Sequence, residues 1–571
     1  MERKVAGETK QVEDDQKWVY DSSVDHKGKV PLRASSGAWK ASLFIIAIEF
    51  SERLSYFGIA TTLIIYLTKV MHEDLKTAAK GVNYWAGVTT LMPLFGGFMA
   101  DAYLGRFSTV FVATVIYLLG LSLLTMSRFV PGLSACDSQL CNEPRKIHEV
   151  VFFIAIYLIS IGTGGHKPAL RASEPTNSTT TTQKKGSRRC PISTDHVSWG
   201  VADIVLLLVL AVSLVIFIIG RPFYRYRKPQ GSPLTPMLQV VLAAIKKRNL
   251  PYPSNPSHLY EISKSEKSHG RLLCHTKKLK FLDKAAIIED TNNSFEKQSP
   301  WRLATVTKVE EMKLVLNMIP IWLASLPFGI CVAQTTTFFI KQGITLNRNI
   351  GGGHFEIPPA SIYSLAAIGM IISVTIYEKL LVPMLRRTTG NERGINILQR
   401  IGIGMLFSIA TMAVAALVEK KRLRLVDADP VKGSQSMSIF WLAPQFIIIG
   451  VGDGFSIVGL QEYFYDQVPD SMRSLGIAFY LSVIGAANFL SSVLITIIDH
   501  ATEHTTGKSW FGKDLNSSRL DKFYWLLAAM SAANLCLFVF LARRYSYKNV
   551  QNVAVADCYE SDAKDIGGSM A

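Results

Sequence analysis

Residues 41–67 read ASLFIIAIEFSERLSYFGIATTLIIYL. A helix crosses a bilayer with about 20 predominantly apolar residues, and this run is long enough to do so. Yet it carries Glu49, Glu52 and Arg53 in its interior. An ionisable side chain at that depth is costly, so each of the three is a candidate for function. At positions i, i+3 and i+4 they fall on one helix face. Similar apolar runs recur along the chain, and that recurrence decides the fold.

Working outward, candidate spans cover Ala41–Leu67, Val82–Ala100, Ser108–Met126, Val150–Leu170, Gly200–Gly220, Lys313–Ala333, Pro359–Val382, Asn396–Val418, Met437–Leu460, Leu475–Ile498 and Phe523–Leu541, eleven in all. The chain has 571 residues, 49% of them hydrophobic, with 61 Lys and Arg against 44 Asp and Glu. The resulting +17 suits a polytopic membrane protein, whose cytoplasmic loops collect basic residues. This pattern excludes a soluble enzyme, a disordered chain and a nucleic-acid binder as first readings. Seven scattered cysteines form no disulfide framework and no metal-ligand spacing. Cys136 and Cys141 read equally as a small disulfide loop or as two free thiols.

The chain divides into a polar cytoplasmic tail (1–40), a helical bundle (41–220), a basic cytoplasmic linker (221–312), a second bundle (313–545) and a cytoplasmic C-terminal tail (546–571). Arg221–Glu311 holds 17 Lys and Arg against 8 Asp and Glu, a net +9 that favours retention in the cytoplasm. Within it, Pro236–Lys247 has apolar residues at helical spacing followed by a basic cluster. That stretch reads either as an interfacial helix on anionic lipid or as part of a solvated tether. Two bundles of five and six spans approach the six-plus-six layout of the major facilitator superfamily, whose halves rock about a central site.

Two stretches carry a more specific resemblance. One is Glu49-x-x-Glu52-Arg53; the other is the loop from Gly96 and Gly97 through Asp101, Gly105 and Arg106 to Phe107. With Gly162-Thr163-Gly164-Gly165-His166-Lys167-Pro168 and Gln461-Glu462-Tyr463-Phe464-Tyr465, they make the chain resemble the proton-coupled oligopeptide transporter family, in its plant branch of nitrate and peptide transporters. The resemblance implies that Glu49, Glu52, Arg53, Lys167 and Glu462 form the proton-coupling centre. Arg53, Tyr56, Lys167, Gln334 and Glu462 would contact substrate, and Gly97, Asp101, Gly105 and Arg106 would form a conformational latch. Three acids against two bases leave one excess negative charge, which favours protonation of one carboxylate. A structural salt-bridge cluster joining the first and fourth spans is the plainer alternative, and the latch loop reads alternatively as a short polar turn. Tyr84, Trp322, Phe328 and Trp441 fit lipid-facing or interfacial roles better than substrate contact. Nitrate carriers of the family are expected to hold a histidine two positions before Gln334, where this chain has Val332. That leans the substrate towards a peptide or peptide-sized anion.

The chain departs from the family after Arg171. Ala172–Ser198 holds six charged residues, two prolines and a threonine run, so it cannot span a bilayer. The family's fifth span is therefore expected to be missing, through an altered splice or an imperfect gene model. Three arrangements then compete: Gly200–Gly220 re-enters or lies at the interface, the polar loop is carried outside, or the second half inverts. The sequons at Asn177 and Asn516 offer glycosylation as a test. The expected function is proton-driven symport of small peptides, nitrate or related anionic metabolites by alternating access. It needs no cofactor or metal, binds no nucleic acid, and acts as a monomer or weak homo-oligomer in a plasma or vacuolar membrane. The rival is a non-transporting family member with a broken pathway. An enzyme is not expected, since no nucleophile–base pair stands out.

Overall fold

The computed structural model describes residues 23–32, 38–130, 132–133, 145–171, 199–227, 231, 234–251, 259–260, 275–276, 278–288, 299–349, 356–390, 394–429, 436–468 and 473–545. The apolar runs fold as helices because a backbone in hydrocarbon must satisfy its own hydrogen bonds. The first half contains α1 (Ala38–Lys69), α2 (Leu75–Met99), α3 (Arg106–Phe129), α4 (Lys146–Arg171) and α5 (Trp199–Ile219). The linker contributes α6 (Leu234–Lys246) and the short α7 (Lys280–Asp283). The second half contains α8 (Val306–Ala333), α9 (Phe338–Thr345), α10 (Ser364–Ile376), α11 (Val382–Thr389), α12 (Ile397–Ala428), α13 (Ala443–Gln467), α14 (Arg473–Thr506) and α15 (Leu520–Arg544). Thr305 caps α8 by accepting from the Lys308 amide at 3.3 Å, and Asn396 with Gln399 forms a capping box on α12.

Among the described residues, nine helical stretches are long and apolar enough to cross a membrane. Two further long helices, α1 and α2, precede them. The sixth span is longer than the sequence suggests: α8 continues through Gln334–Thr336 into α9, making one stretch of 40 residues from Val306 to Thr345.

Packing within the two halves follows one scheme. In the first, α3 packs on α4 and α5, α2 on α4, and α1 on α5. In the second, α12 packs on α13 and α15, α10 on α13, and α8 on α15. Five helices thus have counterparts, and α14 has none among the described residues of the first half. It packs on α8 and reaches across to α2. The mirrored partner of α10 is lacking among the described residues, and α10 turns Ile368, Ile371, Ile372 and Ile376 outward.

Contacts also fix the direction of α5. Its final turn, with Phe217, joins Ala41 and Ile48 of α1 and Val110 of α3, while its first turns bring Trp199 and Asp203 to Tyr66 of α1 and Arg128 of α3. Hence α5 runs antiparallel to both. Helix α4 begins beside the end of α1, where the Tyr66 hydroxyl lies 2.7 Å from His148 Nε2, and passes Thr109 at the start of α3 near its own end. The end of α4 and the start of α5 therefore lie at opposite faces. Residues 172–198, outside the described set, join them. This arrangement brings the end of α5 and the linker to the face where α1 begins, called the linker face below.

The linker is not a solvated tether throughout. Val240, Ala243 and Ala244 of α6 form a small core with Leu282, Ala285, Ala286 and, from α8, Val306 and Val309. Lys247 is buried and its Nζ donates to the Ile287 carbonyl at 2.6 Å. One face of α6 is thus committed to protein, leaving Leu238 and Ile245 exposed. The N-terminal segment is also engaged: β1 (Ser23–Val24) pairs antiparallel with β2 (Tyr226–Arg227).

Candidate transport site

Glu52 sits on α1 with no exposed surface, and its Oε2 lies 2.8 Å from Arg53 Nε. The approach is off the hydrogen-bond angle, so both Glu52 oxygens are buried without a directed donor. Such a carboxylate is held by charge alone. The guanidinium of Arg53 also lies 5.9 Å from the Tyr56 ring centre, and Tyr56 stacks on Trp85 of α2 at 5.6 Å. Its electrostatic neighbours are Glu52, Glu49, Tyr480 and Tyr56. Tyr480 belongs to α14, so the second half also faces this arginine.

Arg53 borders a cavity of about 200 Å³ whose wall includes Phe57, Tyr66, Arg128, Trp199 and Tyr363. Tyr363 comes from the turn preceding α10, so both halves contribute. At the face opposite the linker the halves are tied together. Lys76 pairs with Asp499 at 3.1 Å, and Lys341 donates to the Thr68 hydroxyl at 2.8 Å.

The described members of the expected five-residue cluster make the following contacts. Glu49, Glu52 and Arg53 lie together on α1, while Glu462 forms its ion pair inside the second bundle, with Arg400 of α12 at 3.3 Å. Arg400 stands 4.3 Å from the Tyr377 ring centre. The physical reason is position: Glu462 lies near the linker-face end of α13, where α12 presents a guanidinium. The Lys167 side chain lies outside the described residues, although the backbone of α4 passes through it. So do Cys136, Cys141 and Asn177. Gln334 is fully buried and donates to the Ile330 carbonyl at 2.8 Å and to Ser491 Oγ at 3.2 Å. Asn83 of α2 donates to the same Ser491 oxygen at 3.1 Å, so Gln334 belongs to a polar chain bridging the halves.

Asp453 is the acid that sequence reasoning passes over. It sits within α13 between Gly452 and Gly454, and its Oδ1 is buried without a hydrogen-bond partner. The rule that singled out Glu52 applies equally here, since Asp453 interrupts an apolar span. Arg128 is likewise passed over in the sequence: it pairs with Asp203 at 3.3 Å over the Tyr66 ring, while His166 of the quoted Gly162–Pro168 segment is buried against Thr114 and Tyr117.

The latch residues lie at the linker-face turn between α2 and α3. Arg106 Nε approaches Asp101 Oδ1 to 3.9 Å, a loose and partly exposed pair. Gly105 adopts φ 73°, a left-handed conformation that glycine takes without strain. Gly97 is buried, and a side chain on its neighbour Gly96 would strike the Gly164 carbonyl, so α2 and α4 cross backbone to backbone. Of the weaker aromatic candidates, Tyr84 and Trp441 are exposed, Phe328 is core, and Trp322 donates to Ser482 Oγ at 2.8 Å.

Two helical halves in a repeated packing scheme, enclosing a charged cavity between them, define a multi-pass integral membrane protein of the major facilitator fold. The chain belongs to the POT family of transporters, whose family model matches residues 107–173 and 187–511. The protein NRT1/PTR family 5.6 of Arabidopsis thaliana is 63% identical over 561 residues, covering 94% of this chain and 96% of that relative. This aligned length exceeds the part of the present chain that it covers, so positions of the relative lack a counterpart here. NRT1/PTR family 8.2 of the same plant is 38% identical, covering 95% of this chain and all of that one. Among solved structures, the POT family transporter PepTSo superposes with a TM-score of 0.65 at 16% identity, over 89% of this chain and 99% of that one.

Proposed function

We propose that the chain is a proton-coupled symporter of small peptides, nitrate or related anionic metabolites, working by alternating access with the linker face in the cytoplasm. The observation that carries this reading is Glu52, a fully buried carboxylate held by an off-angle Arg53 at the edge of the cavity. Protonation of Glu52 weakens that pair and frees Arg53 for an anionic group of the substrate. Substrate release restores the pair and biases the halves towards the other orientation. Glu49 adds a second negative charge beside the one arginine. Glu462 with Arg400 is then a second charge pair in the other half, and the half-buried Asp453 is a further acid on the same helix as Glu462. Val332 leans the substrate towards a peptide or peptide-sized anion over nitrate.

The test is uptake of labelled dipeptide and of nitrate in oocytes at acidic and neutral external pH. Acidification should raise uptake, and Glu52→Gln should remove that stimulation, about tenfold or more for a group acting in proton transfer. Uptake unaffected by both acid and the substitution would falsify coupling through this carboxylate. A second reading, a splice-altered member that keeps the fold without carrying, draws on the missing counterpart of α14. It is not favoured by the near-complete match to transporter relatives or by the intact Glu52–Arg53 pair.

A further inference from the structure

Helix α6 is apolar on two opposite faces. Val240, Ala243 and Ala244 make the inner face and enter the linker core. On the other side Leu238, Leu242 and Ile245 recur at intervals of four and three residues. Leu238 is 53% and Ile245 54% exposed, and Leu242 is half-buried. Lys246 and Arg248, both exposed, flank this outer stripe. A helix open to water turns a polar face outward, so an apolar outer stripe edged with cations needs a cover.

The place of α6 in the fold decides what covers it. Its core takes in Val306 and Val309 of α8, with Met312 and Leu316 packed against it. Val309, Met312, Leu316, Ile319 and Leu323 follow one another at intervals of three and four residues, so they share one stripe along α8. Past Leu316 the stripe is bare, with Ile319 44% and Leu323 53% exposed, and on a spanning helix such residues face lipid. Helix α6 therefore rides on the lipid side of α8, not beneath the middle of the bundle. Its level follows from the charges. Lys313, paired with Asp283 at 2.7 Å and with Glu310 at 2.8 Å, is the last charged residue of α8, and residues 314–333 carry none. Those twenty uncharged residues suit the hydrocarbon, so Leu316 stands at its edge, at the depth of the headgroups. Among the described residues of 221–305, every exposed charged side chain is a Lys or an Arg.

We propose that α6 is a docking site for anionic phospholipid of the linker-face leaflet. Leu238, Leu242 and Ile245 enter the boundary between headgroups and acyl chains, and Lys246 and Arg248 meet anionic headgroups on either side of the stripe. The linker core is thereby held between α8 and the bilayer. A second copy of the chain fits this face poorly, because the two stripes would bring Lys246 and Arg248 against their own kind. The inference rests on the position of α6 and stands whether or not Glu52 couples protons.

The experiment uses the full chain with native cysteines replaced and a fluorophore on Ile245→Cys, one copy per nanodisc, in mixed phosphatidylcholine and phosphatidylserine. One lipid or the other carries a nitroxide quencher on its upper acyl chain, at equal mole fraction. Labelled phosphatidylserine should quench more strongly than labelled phosphatidylcholine, since two cations at an anionic surface give a lipid preference on the order of tenfold. Lys246→Gln with Arg248→Gln, both at exposed positions, should bring the two lipids to equality. No quenching by either lipid overturns docking on the bilayer, whether water or protein covers the stripe. Quenching that is equal for the two lipids, or a preference unchanged by the double substitution, overturns the anionic headgroup as the ligand. Should the Ile245 variant fail to fold, Leu238→Cys takes its place with the same outcomes.

Discussion

Glu73, in the short connection between α1 and α2 at the face opposite the linker, shows what a single carboxyl does there. Burial, reinforced by the neighbouring Glu149, pushes it up to about 7 from an ordinary 4.5. The folded protein therefore holds a proton that the unfolded chain gives up. Stability is gained as pH falls from about 7 towards 4.5 and is lost as pH rises through the same window. Glu73→Gln should flatten that slope, seen as a smaller difference between melting temperatures at pH 5.5 and 7.5. Gly96 makes a steric prediction instead. Gly96→Ala places a methyl group against the Gly164 carbonyl, and overpacking of this kind costs about 1–3 kcal/mol. A lowered melting temperature in detergent checks it. At this scale much was legible in the sequence: Glu52 and Arg53 declare themselves as charges in an apolar run. Asp453 obeys the same rule, but between two glycines it was eclipsed by the more conspicuous Gln461-Glu462. The Glu462–Arg400 pair was not legible, because no spacing rule reaches between helices 62 residues apart.

At the scale of elements, one largely buried ion pair helps to hold the start of α5. Arg128 and Asp203 join α3 to the first turn of α5, with Tyr66 and Trp199 against the guanidinium. Asp203→Asn leaves Arg128 buried without its counter-charge, a change that typically costs about 3–5 kcal/mol. Labelling of a cysteine placed at Ala202, buried in the parent protein, should rise sharply in that variant. The double change Arg128→Leu with Asp203→Leu should restore protection, because no charge is stranded. The apolar runs announced the existence and approximate limits of these helices, yet the small core of the linker stayed hidden. Half of its buried members are alanines, which carry little hydrophobic signal in a segment otherwise rich in Lys, Ser and Pro.

For the whole molecule, the decisive feature is the helix with a counterpart in one half only. A helix equivalent to α14 would lie against α1 and cover the outward isoleucines of α10. Inserting an apolar helix of about 20 residues between Arg171 and Trp199 should close that side and raise uptake over the present chain. Equal uptake with and without the insert would show that the gap is harmless to transport. The two-half plan was readable from hydropathy. The direction of α5 was not, since basic residues flank it on both sides and only its contacts choose between the orientations. That choice bears on how the protein is made. With α4 ending at the linker face and α5 starting at the opposite one, the direction of α5 is set by its partners and not by an apolar run before it. A chain inserted with α5 reversed would forfeit both the Arg128–Asp203 pair and the aromatic cluster around Phe217, so the order in which the helices enter the membrane bears on which contacts can form.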